Sequence, residues 1–349
     1  MKKIIALVLT ISIMALVVTG CGSTNKTVDG EVKGNQDSDY SVTMVADVGG
    51  INDQSYNQGA WEGLQAFQEE TGTNVSFIET VQMSDLATNF DKAVDGGHDL
   101  IWGIGFNTAD PLEASAKMNP EISYAIVDHE YDKDILDNVT SAVFNIEEAS
   151  YLVGYIAGLT TKTDKVAYIG GMRSPSMDRF EYGFKAGVDY AARELGKEIK
   201  VEVQIAESFS DAAKGKAIAA SLYNDGSDII FVAAGATGNG VIEQSIEEDK
   251  WVIGVDRDQS YLAPKNVLTS ALKHVEVVTK DLSKKFMEGE DLGGQTIRYG
   301  LENGGVGIPE NNPNMEPEVY EKALEIQDLI IKGEIDPPYS EDTYKEFSK

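Results

Sequence analysis

Short apolar runs alternate with amphipathic stretches along most of the chain, and this alternation sets the expected fold class. From Tyr40 onward, SVTMVAD, VSFIE, DLIWGIG, SYAIVD and VTSAVFN read as strands. Each is short, apolar and bounded by turn residues. Helical patterns lie between them. Trp61, Leu64 and Phe67 recur at helical spacing, and SDLATNFDKAVDGG opens on a capping residue and closes on glycine. Strand–helix alternation of this kind implies a parallel sheet with helices on both faces. After the helix EEASYLVGYIAGLTT the rhythm restarts with the strands KVAYIGG, KVEVQIA, DIIFVAA and WVIGVD. Two α/β lobes of similar build are therefore expected. The first takes residues 40–145 plus a return segment, 271–292; the second takes 146–270 plus 293–349. The late amphipathic helix EPEVYEKALEIQDLIIKGEI is expected to cover the second lobe.

The first residues break this pattern. Lys2 and Lys3 precede an apolar run from Ile4 to Val18, the arrangement of an export signal. The run is marginal for a permanent bilayer span. It ends in VTGC, and Cys21 is the only cysteine in the chain. The four residues resemble a bacterial lipobox, with cleavage before Cys21 and acylation of the new amino terminus. Residues 1–20 are thus expected to be a lipoprotein signal peptide. Residues 21–39, small and polar, are expected to be a flexible tether from the lipidated cysteine. A lone cysteine makes no intramolecular disulfide and suits an anchor better than a redox or metal group.

Charge narrows the partners. The chain has 349 residues and a formal net charge of −29. Losing residues 1–20 removes Lys2 and Lys3 and no acid, which leaves 27 basic against 58 acidic side chains. Nucleic-acid binding needs a basic footprint, which is missing. A polybasic membrane patch is missing too.

Parallel α/β sheets hold ligands at the carboxyl ends of their strands. The residues there are Asp47 with the GGIND loop, Gly105 and Phe106, Asp128, Asn145, Gly170 with Gly171, Gly235, and Asp256. Catalytic signatures are absent. His98, His129 and His274 are widely separated, and no HExxH, CxxC, GxSxG or GxxxxGK[ST] occurs. GIGFNT lacks the third glycine of a dinucleotide fingerprint, and GATGNG has the wrong spacing. Carboxylates with aromatics nearby suit a small, polar, planar ligand whose hydroxyl or N–H groups they accept.

The stretch DVGGINDQSYNQGAWEGLQ is similar to the signature of the basic membrane protein family of lipoproteins. These are substrate-binding components of ABC importers, of the purine nucleoside receptor type. VFNIEEASYLVGYIAGLTTKT, RFEYGFKAG, VIGVDRDQ and LTSALKHVE follow in family order, so the resemblance runs from about Tyr40 to GLENGGVGIP. It implies a two-lobed, type I periplasmic-binding-protein-like fold that closes on a nucleoside such as guanosine, adenosine or inosine. Tyr56, where the family more often has phenylalanine, would be one stacking ring and Phe180 the other. Asn52, Asp53 and Asp128 would lie near the base or the cleft wall. Asp256, Gly235 and Lys273 would address the ribose. Asp47 would line the cleft edge or hold the GGIND loop through its N–H groups.

The resemblance further implies ABC permease and ATPase partners, a lipid-anchored monomer on the extracytoplasmic face, and neither catalysis, cofactor nor metal. Plain structural roles compete at several positions. Asp53 could cap the helix after it, Tyr56 could pack on its own lobe, and Phe180 competes with Tyr182 and Phe184 for the core. Trp61 and Phe67 are expected in the core, Asp258 in solvent, and Lys273 competes with the usual surface role of lysine. The rival readings are the same fold with riboflavin, a sugar or a signalling molecule, and a surface adhesin without a transport role.

Overall fold

The computed structural model describes residues 40–131 and 136–348, together with the backbone of 29–32. The signal peptide, Cys21 and most of the expected tether lie outside the described residues.

The first half runs β1 (Asp29–Val32), β2 (Ser41–Val48), α1 (Tyr56–Thr71), β3 (Asn74–Thr80), α2 (Leu86–Asp95), β4 (Leu100–Ile104), α3 (Ala109–Met118), β5 (Ser123–Val127) and β6 (Val139–Phe144). The second runs α4 (Ile146–Thr160), β7 (Lys165–Gly170), α5 (Pro175–Leu195), β8 (Lys200–Ile205), α6 (Ala212–Asn224), β9 (Ile229–Ala233), α7 (Thr237–Glu247), β10 (Trp251–Asp256) and β11 (Val267–Lys273). The remainder is α8 (Val275–Met287), β12 (Thr296–Tyr299), β13 (Val306–Gly307), α9 (Pro317–Ile331) and α10 (Glu341–Phe347).

Two sheets form. The first has seven strands in the order β1-β3-β2-β4-β5-β6-β12, the second six in the order β13-β11-β10-β9-β7-β8. Pairing is parallel except for β1 on β3 and β13 on β11. The central strands are buried throughout, as near-continuous apolar runs require in sheets covered on both faces. Trp61 and Phe67 are core residues, and Asp258 is exposed.

Helix α4 is apolar nearly all round and accordingly buried. It lies against α5 so closely that a Cβ on Gly187 would come 2.0 Å from the Tyr151 carbonyl oxygen, and one on Gly154 would come 2.2 Å from that of Phe184. Only glycine permits that approach. On another side α4 meets α9, whose buried stripe is Ala323, Ile326 and Ile330.

The division between lobes differs from the sequence expectation in its later segments. Residues 271–273, expected in the first lobe, end β11 and stay in the second sheet. Helix α8 does return, packing on α1, with Trp102 Nε1 donating to Ser283 Oγ at 2.9 Å. Residues 296–299, expected in the second lobe, form β12 on the first sheet beside β6. β12 is four residues long and half-exposed, so it carries no apolar run to betray it. Within the expected tether, Asp29–Val32 pair with β3; an edge strand offers free backbone groups that need no apolar side chains to be paired.

The chain crosses between lobes after β6, after β11 and after β12. The crossings are bonded together: Asn145 N donates to Tyr299 O at 2.8 Å and His274 N to Gly305 O at 2.9 Å.

Candidate ligand-binding site

The carboxyl ends of both sheets face one interlobe cavity, the place where parallel α/β sheets hold their ligands. The first lobe lines it with Asp47, Asp53, Tyr56, Asn57, Gly105, Phe106 and Asp128. The second supplies Met177, Phe180, Phe209, Gly235, Asp256 and Lys273.

The GGIND loop is built around Asp53. Its carboxylate accepts from the backbone N–H groups of Ser55 (2.9 Å), Asn57 (2.9 Å) and Gln58 (3.1 Å), and from Asn57 Nδ2 at 3.1 Å. These are the orphan donors at the start of α1, so Asp53 caps the helix while bordering the cavity. Burial raises its pKa against the pull of those N–H groups. Asp47 accepts from Asn107 Nδ2 at 2.8 Å and from the Val48 N–H at 2.7 Å. Burial nevertheless raises its pKa to about 6.

Asp128 follows β5, and Asp256 ends β10. β5 and β10 occupy corresponding places in the two sheets, and both aspartates adopt left-handed backbone, at φ 65° and 64°. Such strain concentrates at functional sites, and aspartate tolerates it better than most residues. Asp256 accepts from Ser55 Oγ across the cleft. Burial pushes its pKa to about 6, with Lys273 pulling the other way.

Lys273 is 2 % exposed and pairs with Asp128 of the opposite lobe. Its ammonium lies 4.6 Å from the Tyr56 ring centre, 5.1 Å from that of Phe144 and 5.9 Å from that of Phe180. The two rings expected to stack on a ligand therefore wall in a buried cation. Phe180 also packs on Phe231 in the core, at 6.1 Å between centroids, and Tyr182 and Phe184 are buried as well.

More contacts cross the cleft at Gln54, itself at φ 60°. Gln259 Nε2 donates to its carbonyl at 2.9 Å, and Tyr261 Oη donates to its Oε1 at 2.6 Å. Asn239 Nδ2 donates to the Asp53 carbonyl at 3.3 Å.

Of the residues expected at the site, Asp47, Asp53, Tyr56, Asp128, Phe180, Gly235, Asp256 and Lys273 all line the cavity. Asn52 does not; it is exposed, and the turn brings Asn57 inward in its place. Phe209 was missed. It follows β8, half-buried, in an edge-to-face contact with Phe106 of the other lobe, ring centroids 6.3 Å apart and planes inclined by 68°. Its ring lies so close to Gly171 that a Cβ there would sit 2.1 Å from it. The strand-end rule that found Phe106 finds Phe209 too when it is applied to the end of KVEVQIA.

Comparison with known proteins decides the family. The family described as ABC transporter substrate-binding protein PnrA-like, Bmp, matches residues 40–341. The chain belongs to the Bmp family. Among Bmp relatives, the CD4+ T-cell-stimulating antigen of Listeria innocua is 40 % identical, covering 97 % of this chain and 99 % of that one. The ABC transporter nucleoside-binding protein BmpA of Lactococcus lactis subsp. cremoris is 39 % identical with the same coverage. An ABC transporter solute-binding protein from Aeropyrum pernix K1 superposes with a TM-score of 0.78 at 27 % identity, covering 88 % of this chain and 96 % of that one. The Bmp chain thus has the type I periplasmic-binding-protein-like architecture of two α/β lobes, and is an ABC transporter substrate-binding protein. Among the described residues no helix is long and apolar enough to cross a membrane.

Proposed function

We propose that this protein binds a nucleoside, foremost a purine nucleoside, outside the cytoplasm and presents it to an ABC permease driven by its ATPase. In this reading acylated Cys21 anchors the protein, which acts as a monomer and does no chemistry on its ligand. One observation carries the proposal: four carboxylates and the Phe106–Phe209 ring pair converge on one interlobe cavity. Carboxylates accept hydrogen bonds from paired hydroxyls and ring N–H groups, each charge-assisted bond contributing roughly 1.5–3 kcal/mol. Stacking of a base on an aromatic ring contributes roughly 1–3 kcal/mol more. Together these exceed the cost of association only if water is excluded, which a closed cleft achieves.

Asp256 and Gly235 address the ribose, Asp53 and Asp128 shape the wall near the base, and Phe209, beside Phe106, offers a ring to the base. Lys273 orients Asp128. A phosphate would meet Asp47, Asp53, Asp128 and Asp256, with the cavity's one ammonium already paired; the site therefore favours nucleosides over nucleotides. The nucleoside-binding name of the L. lactis relative agrees with this reading.

The test is calorimetric titration of protein that has been unfolded and refolded to strip bound ligand. The panel is guanosine, adenosine, inosine, cytidine, uridine, riboflavin and ribose. Binding of a purine nucleoside at about micromolar Kd or tighter is the expected result. Binding of riboflavin or ribose alone, or of nothing in the panel, overturns it.

A further inference from the structure

We propose that Gln259 is a positioning residue of the cavity: from across the cleft it holds Gln54 in left-handed backbone, and so assembles the first lobe's half of the site when the lobes meet. This holds for whichever ligand the cavity takes, and so does not rest on the nucleoside reading.

Gln54 is a turn residue that its own lobe does not secure. It stands at φ 60°. Long side chains rarely take that backbone, and they keep it only where the surroundings over-determine it. Three hydrogen bonds hold Gln54. Its N–H donates to Gln58 Oε1 at 3.2 Å within the first lobe. Its carbonyl accepts from Gln259 Nε2 at 2.9 Å and its Oε1 from Tyr261 Oη at 2.6 Å, both in the second lobe. The strained conformation is thus held mainly from the opposite side of the cleft.

Gln259 is fixed in advance. It is 2 % exposed. Its Oε1 accepts from the Val255 N–H at 3.0 Å, and its own N–H donates to Ser270 Oγ at 3.1 Å. A Cβ on Gly254 would lie 2.6 Å from that Oε1, so glycine makes the room. An amide whose oxygen is engaged within the second lobe turns its NH2 group outward as a donor. Val255 directly precedes Asp256, so one strand end carries both the cavity acid and the anchor of this donor.

Gln54 joins Asp53 to Ser55, and the rest of the loop depends on that link. Asp53 accepts from the N–H groups of Ser55, Asn57 and Gln58, and Ser55 Oγ reaches Asp256. Tyr56 and Asn57, next along, line the cavity beside Asp53. A residue that leaves left-handed backbone swings the adjoining peptide planes, so relaxation of Gln54 draws the Ser55 N–H away from Asp53 and loosens the cap. When the lobes part, Gln259 and Tyr261 leave with the second lobe and the strain at Gln54 is released. Asp53, Tyr56 and Asn57 then lose their common frame. The open protein offers a ligand the second lobe's residues in place and the first lobe's only in part.

The experiment is Gln259→Glu in the full chain, alone and together with Gln54→Gly. It is read by amide hydrogen exchange of the unliganded protein and by titration with inosine. Glutamate still accepts from Val255 but sets an oxygen against the Gln54 carbonyl. Exchange at Ser55, Asn57 and Gln58 should quicken about tenfold or more, with β5 unchanged. Inosine affinity should fall about 10- to 100-fold. Glycine enters left-handed backbone freely, so with Gln54→Gly both effects should shrink to about threefold or less.

Parting of the lobes alone leaves the bonds from Asp53 to those three N–H groups intact, so unchanged exchange there overturns the proposal. So does an equal loss of inosine affinity with glutamine or glycine at position 54, which marks a lobe-to-lobe contact and nothing more. Tyr261 is 50 % exposed, and Tyr261→Phe serves if Gln259→Glu does not fold. It should quicken the same amides about threefold, the effect of one hydrogen bond, and unaltered exchange overturns the proposal equally. An unsubstituted protein that binds no nucleoside overturns the function proposed above and leaves the exchange result to decide this one.

Discussion

The two lobes repeat one backbone plan and furnish it differently. β5 and β10 both lead into aspartates in left-handed backbone. β6 and β11 both run into a helix through a residue with φ near −80° and ψ near 60°, Asn145 in one case and His274 in the other. The side chains then diverge. The first lobe gives the cavity Asp47, Asp53 and Asp128 and no cation; the second gives Asp256 and the buried Lys273. At matching strand ends stand Phe144 on β6 and Lys273 on β11. A repeated backbone thus delivers equivalent positions, and one unlike pair of residues makes the lobes complementary.

The largest test of this contrast is to remove the cation. Lys273→Met leaves Asp128, whose side chain is 10 % exposed, without its partner, which costs about 3–5 kcal/mol against the closed form. It should lower ligand affinity by about a hundredfold or more and widen the unliganded particle in small-angle scattering. An unaltered particle that still binds would show the ion pair to be incidental.

Next come the rings. Phe180→Ala should remove about 3–5 kcal/mol of global stability, as for a buried core phenylalanine. Phe209→Ala should instead cost about 1–3 kcal/mol of ligand affinity. Urea unfolding and calorimetry separate the two, and a reversed pattern would return Phe180 to the role of ligand ring.

The smallest effect is graded with pH. Asp47 and Asp256, one from each lobe, titrate at about 6 instead of 3.8 because burial disfavours their charge. Between those values the folded protein holds more protons than the unfolded chain. Its unliganded stability should therefore decline as pH rises through that window and level off above it. A ligand that donates to these groups favours their ionised forms, so affinity should rise over the same window. Parallel slopes in thermal unfolding and in titration would exclude both as acceptors for the ligand.

Much of this was legible in the sequence because burial writes itself into composition. Strands such as DLIWGIG and DIIFVAA are continuous apolar runs, and the residues after such runs gave most of the cavity. Phe209 escaped because it stands three residues past the end of KVEVQIA, in ESFSD, which reads as an ordinary polar loop. Whether Asn52 or Asn57 faces inward turns on the backbone at Gln54, which composition does not encode. Phe180, Tyr182 and Phe184 lie within two turns of one helix, so spacing alone cannot separate a cavity wall from the core. The exchange of β12 between lobes depends on a pairing of four residues with a strand more than a hundred positions earlier.

The grip of the second lobe on Gln54 bears on timing. Its bonds to Gln259 and Tyr261, with those from Ser55 to Asp256 and from Lys273 to Asp128, span the cleft between protein groups. Parting the lobes breaks all of them at once, whichever molecule is inside. Residence time is then governed more by the protein's own clasp than by the ligand's contacts. Ligands of unequal affinity would leave at similar rates, and fast delivery would depend on a partner that pulls the clasp apart.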